Sequence, residues 1–312
     1  MGYAERPSIT PRQALRLAAP GTWAASLCPA LFGVLYCWVQ GASLGPLRAL
    51  VLTAACVLLQ SAVNTFNDYF DFASGTDSQS DHVEESDSVL VYGAFDPRQA
   101  LWLGAAYLAL GAAAGILCCI GRGWTPILTG LAGAAAVLLY SAGPVPLSGL
   151  PAGELVSGFV MGGLIPLGVA GCADGPADFR ILFWSLPLIL GISLIMMTNN
   201  GCDIEKDLRA GRRTLPSLLG RKGTRLLYRC LTVLWFALLV CFPVFLLGLT
   251  GAASAVLLAV FGFGCFRDVL RFSLEPEKRI VQMKTIVRAN LLGNGAYLCS
   301  MALALLGGRV YG

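Results

Sequence analysis

The chain has 312 residues, of which 56% are hydrophobic and 13% are charged, and its formal net charge is +4. Soluble globular domains carry about 25% charged residues, so this composition excludes an ordinary soluble fold and predicts an all-α integral membrane protein. The basic residues fall in loops where membrane topology accounts for them, and we therefore expect no nucleic-acid partner.

Long apolar stretches follow one another along the chain. A helix that crosses the bilayer core needs roughly 17–25 residues, and nine stretches come near that length. They are Thr22–Val39, Ala49–Phe66, Leu101–Cys119, Trp124–Tyr140, Leu155–Cys172, Ile181–Thr198, Leu231–Leu249, Ala252–Phe266 and Leu291–Leu306. We predict one membrane domain over residues 1–312 in the lipid bilayer, with a cytoplasmic segment at 1–20 and cytoplasmic loops at 67–99 and 199–229.

The basic residues test this topology independently of hydropathy. With a cytoplasmic N-terminus, 18 of the 22 Lys and Arg residues lie on the inside, and four lie outside: Arg48, Arg122, Arg180 and Arg309. Such an excess follows the positive-inside rule. The first residues lack the features of a cleavable signal, so the first apolar run is expected to be a true span. We expect a multi-pass protein of the cell (inner or plasma) membrane.

The first polar cluster lies where the second predicted span ends. It begins with Asn64, Asn67, Asp68 and Asp71 and continues to Asp77. If the helix continues one or two turns beyond the membrane, the first four side chains share one of its faces. Residues 67–99 contain eight acidic residues against the single base Arg98. Because cytoplasmic loops favour Lys and Arg, so acidic a loop suggests that it binds cations.

The second polar cluster lies where the sixth predicted span ends. Asn199, Asp203 and Asp207 recur at helical spacing, with Asn200 beside them. The following loop is basic and includes Lys206, Arg212 and Arg213, which are expected to bind phosphate. Ionisable groups at membrane depth cost about 2.5–3.5 kcal/mol each on insertion scales. Two such clusters on one side of the membrane therefore indicate a shared function.

Carboxylate and amide oxygens are the ligands that Mg²⁺ prefers, and Mg²⁺ completes its octahedron with waters and substrate phosphates. We expect the two clusters to face each other across a cavity. The pattern then predicts that a diphosphate is held through Mg²⁺ between two helix ends. The expected metal-binding residues are Asn67, Asp68, Asp71, Asp203 and Asp207.

Three stretches of the chain resemble a known family. They are Asn67-Asp68-Tyr69-Phe70-Asp71, Tyr140-Ser141-Ala142-Gly143-Pro144 with Gly153-Glu154-Leu155 following, and Asn199-Asn200 with Asp203-Ile204-Glu205-Lys206-Asp207. The first and third are similar to the NDxxD and DxxxD signatures of the UbiA superfamily of intramembrane prenyltransferases. Within it, the likeness is closest to the 1,4-dihydroxy-2-naphthoate polyprenyltransferases of menaquinone biosynthesis.

The resemblance implies a bundle of nine helices around a lateral cavity open to lipid. It implies that Mg²⁺ and an isoprenyl diphosphate are bound by the aspartate motifs, and that the prenyl chain passes to an aromatic acceptor. Asp68, Asp71, Asp203 and Asp207 would be catalytic. The substrates would be bound by Asn64, Asn67, Asp77, Tyr140, Asn199, Asn200, Lys206, Arg212 and Arg213.

Two departures from the naphthoate pattern remove positive charge near the site. Cys202 stands where those relatives usually have an Arg, and an acidic stretch at 81–87 stands where they have basic residues. A carboxylated acceptor is matched best by Arg, so the acceptor remains open.

Two other functions remain open. A terpene cyclase of the same superfamily would ionise the same diphosphate and quench the cation internally, without an acceptor. A transporter would also place acidic groups in the membrane, although such sites usually lie at the midplane and between inverted repeats.

Overall fold

The computed structural model describes residues 8–73, 89–92, 95–141 and 146–308, and the regular structure in these residues is helical. In chain order the α-helices are α1 (Pro11–Leu17), α2 (Ala24–Val39), α3 (Pro46–Ala73), α4 (Val89–Tyr92), α5 (Pro97–Cys119), α6 (Trp124–Ser141), α7 (Gly153–Phe159), α8 (Ile165–Gly171), α9 (Arg180–Trp184), α10 (Leu186–Cys202), α11 (Ile204–Arg209), α12 (Leu215–Leu247), α13 (Ala252–Leu257), α14 (Phe263–Leu270) and α15 (Arg279–Leu306). The predicted all-α fold class is confirmed.

The predicted count of nine membrane spans is not confirmed. Within the described residues, five helical segments are long and apolar enough to cross a bilayer, and a sixth results if the pair around Trp23, bent by 61°, forms one span. Two further apolar helices, Trp124–Tyr140 and Leu186–Cys202, are shorter. Together these segments identify a multi-pass membrane protein.

The outer surface of the bundle carries large apolar side chains. Trp124, Phe245 and Leu306 are each at least three-quarters exposed. Water would oppose exposure of so much apolar surface, whereas lipid chains favour it. An apolar outer surface is the pattern expected of a protein whose solvent is the bilayer.

Aromatic side chains fill the centre of the bundle between α2, α10, α12 and α15. Trp235 and Tyr297 are fully buried, and the rings of Phe32 and Tyr297 meet edge to face with centroids 5.2 Å apart. The hydroxyls of Thr198 and Tyr228 lie 2.8 Å apart, which ties the C-terminal half of α10 to α12. This packing fixes the end of α10, where the second polar cluster begins.

Glycines on α7 and on the turn that follows it, Val160–Leu164, allow this part of the chain to approach α10 closely. A Cβ built on Gly162 would lie 2.5 Å from the backbone nitrogen of Ile189, and one on Gly158 would lie 2.5 Å from the carbonyl oxygen of Ile189. The small-residue spacing of Gly158 and Gly162 therefore packs helices, as in other membrane bundles. Gly115 on α5 differs, because a Cβ there would meet nothing within 4 Å.

The chain reverses direction between α12 and α13. Ser254 donates from its hydroxyl to the carbonyl of Leu239 at 2.8 Å, and a Cβ on Gly251 would overlap the carbonyl oxygen of Pro243. Only glycine fits so tight a contact. Earlier in α12, Gly220 adopts φ 63° and ψ 169°, a conformation open to glycine, and it separates the first turns of α12 from the long apolar part.

Candidate active site

The first polar cluster lies on the last turns of α3. This helix continues to Ala73, seven residues beyond the predicted end of the span, as the helical spacing required. Asn67 donates from Nδ2 to Oδ2 of Asp71 at 3.0 Å, one turn later. Asp68 is half-buried on the same stretch. The predicted shared face of Asn67 and Asp71 is thus formed.

Asn64, three residues earlier, binds the N-terminal segment. Its Nδ2 donates to the carbonyl of Ala18 at 3.0 Å and to the hydroxyl of Thr22 at 2.8 Å, and its Oδ1 accepts from Gln60 at 3.1 Å. Segment 8–22 therefore folds against the end of α3. The contacts give Asn64 a structural role, and its predicted role in substrate binding stays a prediction.

The second polar cluster lies on two helices. The prediction that one continuous helix carries Asn199, Asp203 and Asp207 is wrong, because α10 ends at Cys202 and α11 begins at Ile204. Asp203 between them has φ −100° and ψ 16°. The i to i+4 hydrogen bonds nevertheless persist, from the Asp203 N–H to the Asn199 carbonyl at 3.1 Å and from the Asp207 N–H to the Asp203 carbonyl at 2.8 Å. The three residues remain neighbours despite the break.

Asp207 is the most enclosed carboxylate of the motifs, with its side chain 5% exposed. The Thr214 hydroxyl donates to its Oδ2 at 3.0 Å. Thr214 is also the N-cap of α12, so α11 and α12 are joined at this point. Burial raises the pKa of Asp207 to about 6, although the Thr214 hydrogen bond and the charge of Arg212 oppose this rise. The carboxylate form is therefore costly here unless a cation lies beside it.

Arg212 brings the two motifs together. Its Nη2 donates to Oδ1 of Asp71 at 2.7 Å, and its Nη1 lies 4.0 Å from Oδ1 of Asp207. The aliphatic part of the side chain passes Gly149, where a Cβ would lie 3.4 Å from Cγ of Arg212. The predicted convergence of the ends of α3 and α11 is therefore present in the structure.

Arg279 and Glu154 belong to the same region, although neither is among the site residues predicted from the sequence. Arg279 at the start of α15 donates from Nη2 to Oδ1 of Asn199 at 2.6 Å and from Nε to Oδ2 of Asp203 at 3.2 Å. Asn199 donates to Oδ1 of Asn200 at 3.4 Å, and Asn200 donates to Oε1 of Glu154 at 2.8 Å. These bonds link α15, α10 and α7 in one polar chain. No pattern in the sequence indicates that Arg279 and Glu154 belong to this polar chain, except that Glu154 lies within a stretch that resembles the family.

The remaining predicted substrate-binding residues occupy different surroundings. Tyr140 lies on α6, and its hydroxyl is 3.7 Å from the sulfur of Met196. Lys206 is half-buried on α11, whereas Arg213 is exposed. Asp77 lies outside the described residues, as does the acidic stretch at 81–87.

Cys202 illustrates how the missing positive charge is replaced. Its side chain is fully buried, and its thiol contacts Oε1 of Gln282 at 3.7 Å. Arg279, one turn before Gln282 on α15, supplies a guanidinium beside the second motif.

The carboxylate and amide oxygens of the two motifs suit Mg²⁺ better than they suit a metal ion that is held by protein ligands alone. Within the described part of the chain, no three His, Cys, Asp or Glu side chains lie close enough to hold a metal ion. Mg²⁺ usually takes one or two carboxylates and completes its shell with waters and substrate phosphates. Carboxylates on opposite sides of one polar region, with amides beside them, suit that mode of binding.

Comparison with known proteins assigns this arrangement to a family. Residues 26–291 match the model of the UbiA prenyltransferase family. The chain is 32% identical to the 1,4-dihydroxy-2-naphthoate octaprenyltransferase of Bacillus subtilis over 79% of this chain and 76% of that protein. It is 27% identical to the UbiA prenyltransferase domain-containing protein 1 of Xenopus tropicalis over 92% of this chain and 81% of that protein.

Solved structures share the fold. A UbiA homolog from Archaeoglobus fulgidus bound to GPP and Mg²⁺ aligns with TM-score 0.63 and 18% identity, over 92% of this chain and 99% of that one. The apo structure of a UbiA homolog from Aeropyrum pernix K1 aligns with TM-score 0.64 and 22% identity, over 92% and 97%. At such identities the likeness is one of fold.

Proposed function

The chain belongs to the UbiA prenyltransferase family and is a prenyltransferase, and we propose that it transfers an isoprenyl chain from an isoprenyl diphosphate to an aromatic acceptor in a Mg²⁺-dependent reaction. The acceptor we propose resembles 1,4-dihydroxy-2-naphthoate, and the reaction would serve menaquinone or another quinone synthesis. The whole chain, residues 1–312, acts as one membrane domain.

The contact between Arg212 and Asp71 carries the proposal. It brings the loop after the second motif within 2.7 Å of the first motif, although 141 residues separate the two in sequence. A diphosphate bridged by metal ions needs carboxylates on both of its sides and cations close by. The end of α3 and α11 supply the carboxylates, and Arg212 supplies the cation.

The magnesium ions would be held by Asn67, Asp68 and Asp71 on α3, by Asp203 at the start of α11 and by Asp207 within α11. When bound, Mg²⁺ supplies Lewis acidity that stabilises the charge of the departing diphosphate. Lys206, Arg212 and Arg213 would neutralise the remaining phosphate charge. The bond between the allylic carbon and the diphosphate oxygen breaks, and the electron pair leaves with the diphosphate.

A π-electron pair of the acceptor ring then forms the bond to the allylic carbon, and the ring regains aromaticity by releasing its ring proton to water or to the departed diphosphate. Tyr140, Asn199 and Asn200 line the polar region next to the motifs and are the residues we assign to the acceptor side. The naphthoate assignment draws on the Bacillus subtilis relative, whose name states that acceptor. Arg279 supplies a positive charge at this place that a carboxylated ring requires.

The orientation we propose follows the charges. Eighteen of 22 Lys and Arg residues lie in the segments that we assign to the cytoplasm, where the positive-inside rule favours them. Both aspartate motifs then face the cytoplasm, where Mg²⁺ and the charged diphosphate group of an isoprenyl donor can reach them. We assign the protein to the cell membrane.

Product analysis tests the function. The detergent-purified protein would be incubated with Mg²⁺ and isoprenyl diphosphates of increasing chain length, with and without dihydroxynaphthoate, and its lipid products identified by mass spectrometry. We expect a prenylated naphthalene that requires the acceptor and disappears with EDTA. A cyclic hydrocarbon or alcohol formed without acceptor would identify a cyclase instead. Turnover with a different aromatic ring would correct the acceptor alone.

A further inference from the structure

Arg279 joins the last helix to the second aspartate motif. It is the first residue of α15, and its side chain is 20% exposed. Its guanidinium donates to Asn199 at 2.6 Å and to Asp203 at 3.2 Å. One side chain from the far end of the sequence thus contacts two residues of the motif.

The position of Arg279 is unfavourable for its own helix. The N-terminus of a helix carries a partial positive charge, so a cation in the first turn is repelled. The negative charge of Asp203 compensates for this repulsion. Its Oδ2 then accepts from Arg279 and is less available to a metal ion. A residue placed only to begin α15 would not need a positive charge, whereas a residue that serves the polar site would.

The turn before α15 holds the Arg279 backbone in place. Lys278 and Ser273 contact Oε2 of Glu275 at 3.0 and 2.9 Å, and the Leu274 N–H donates to Oε1 of Gln282 at 3.1 Å. Hydrogen bonds and an ion pair of Glu275 and Gln282 therefore hold the backbone on both sides of Arg279. Its long side chain keeps the freedom to exchange one oxygen partner for another.

Both motifs share this pairing of a carboxylate with a guanidinium. Arg212 contacts Asp71, and Arg279 contacts Asp203. A carboxylate oxygen that accepts from a guanidinium is less available to a metal ion, so the two cations compete for it. A guanidinium released from a carboxylate is suited to an oxyanion, because its planar donors match phosphate and carboxylate geometry.

We propose, on the basis of the proposed function, that Arg279 is a substrate-binding residue. Its guanidinium exchanges Asp203 for an oxyanion of the substrate when that carboxylate is needed for Mg²⁺. The oxyanion is a diphosphate oxygen of the donor or the carboxylate of an aromatic acceptor. Arg279 thereby opposes metal binding alone and favours binding of metal and substrate together.

Binding measurements on the full-length protein in detergent test this inference. Thermal-shift titrations would measure the affinity for Mg²⁺ alone, then for inorganic pyrophosphate and for dihydroxynaphthoate at a fixed high Mg²⁺ concentration. The variants are Arg279→Gln, which removes the charge, and Arg279→Lys, which keeps the charge without the planar donors. Lys278→Gln is the matched control, because Lys278 is the preceding residue and pairs with Glu275 instead.

In Arg279→Gln we expect tighter binding of Mg²⁺ alone, by several fold, and weaker binding of one anion by about tenfold, the usual scale for a charge-assisted hydrogen bond. The weakened anion identifies the source of the oxyanion. Arg279→Lys should lie between wild type and Arg279→Gln, and Lys278→Gln should match wild type.

The two affinities must move in opposite directions, since a purely structural role would weaken both. Unchanged binding of both anions, or joint weakening of Mg²⁺ and anions in the variants, would overturn the inference while leaving the proposed function intact. A wild-type protein that binds neither Mg²⁺ nor pyrophosphate would overturn the proposed function, and the inference with it.

Discussion

Arg212 donates from Nη2 to Oδ1 of Asp71 at 2.7 Å, and the pair is largely enclosed, with the side chains 25% and 16% exposed. The contact connects the loop after α11 to the end of α3. It therefore fixes the distance between the two aspartate motifs, and the geometry of a diphosphate site depends on that distance.

Arg212→Ala should lower kcat/KM about 100-fold, the scale found when a donor to a developing negative charge is removed. The variant loses both the link between the motifs and a charge that neutralises diphosphate. Arg229→Ala, an exposed Arg on α12, is the matched control and should retain most of the activity. Steady-state kinetics with the donor diphosphate varied would check both, and equal rates for the two variants would contradict the role of Arg212.

Glu154 is 3% exposed and accepts a hydrogen bond from Asn200 at 2.8 Å. Glu154→Gln keeps an acceptor oxygen of the same shape, so we expect activity within a few fold of wild type. Glu154→Ala leaves the buried Asn200 amide unpaired and should lower activity about 10–100-fold, as for other residues that orient a metal site. The ratio of the two initial rates is the measurement. A loss in Glu154→Gln as large as in Glu154→Ala would show that the charge, and not the hydrogen bond, is needed.

Gly162→Ala should destabilise the bundle by about 1–3 kcal/mol, the usual cost of overpacking. Its new methyl group would meet the backbone of Ile189 at 2.5–2.6 Å, and backbone atoms have little room to move. Gly115→Ala is the control, because a Cβ there has open space. Thermal melting in detergent should show a lower Tm for Gly162→Ala alone. Equal melting temperatures would mean that the chain around Gly162 packs less closely against α10 than in the structure.

Arg221 supports α11 from the start of α12. It donates to both carboxylate oxygens of Glu205 at 2.7 and 2.6 Å and to the carbonyl of Gly201 at 3.1 Å. Since Glu205 is half exposed, Arg221→Gln should cost no more than about 1 kcal/mol of stability. Activity should nevertheless fall several fold, because α11 carries Asp207. Comparing Tm and kcat with the exposed neighbour variant Lys222→Gln checks this, and a loss confined to Tm would contradict it.

Local spacing was sufficient to predict the first motif. Asn67 and Asp71 are one turn apart, and a helix that continues past the membrane necessarily brings them together. The membrane class was equally accessible, because apolar content and charge placement do not depend on tertiary contacts. The family resemblance rested on the same local stretches, and the match over residues 26–291 confirmed it.

Contacts between distant segments could not be predicted in this way. The break at Asp203 leaves the i to i+4 spacing intact, so the pattern of side chains did not reveal it. Arg279 is 76 residues from Asp203 in sequence, and only the packing of α15 against α10 brings it near. The predicted span count differs from that of the described residues for a related reason, since bent and short apolar helices meet the length criterion only in part.

The most direct test of the account is a Mg²⁺ titration of prenyl transfer in wild type, Asp71→Asn and Asp203→Asn, one variant for each motif. Asparagine keeps the shape of each side chain and removes its charge, so a loss of activity reports on the metal and diphosphate. We expect wild-type turnover to rise with Mg²⁺ and to vanish with EDTA, and both variants to remain about 100-fold slower at saturating Mg²⁺. Wild-type product formation in EDTA, or a near-normal rate in either variant, would contradict a diphosphate held through metal ions between the two motifs.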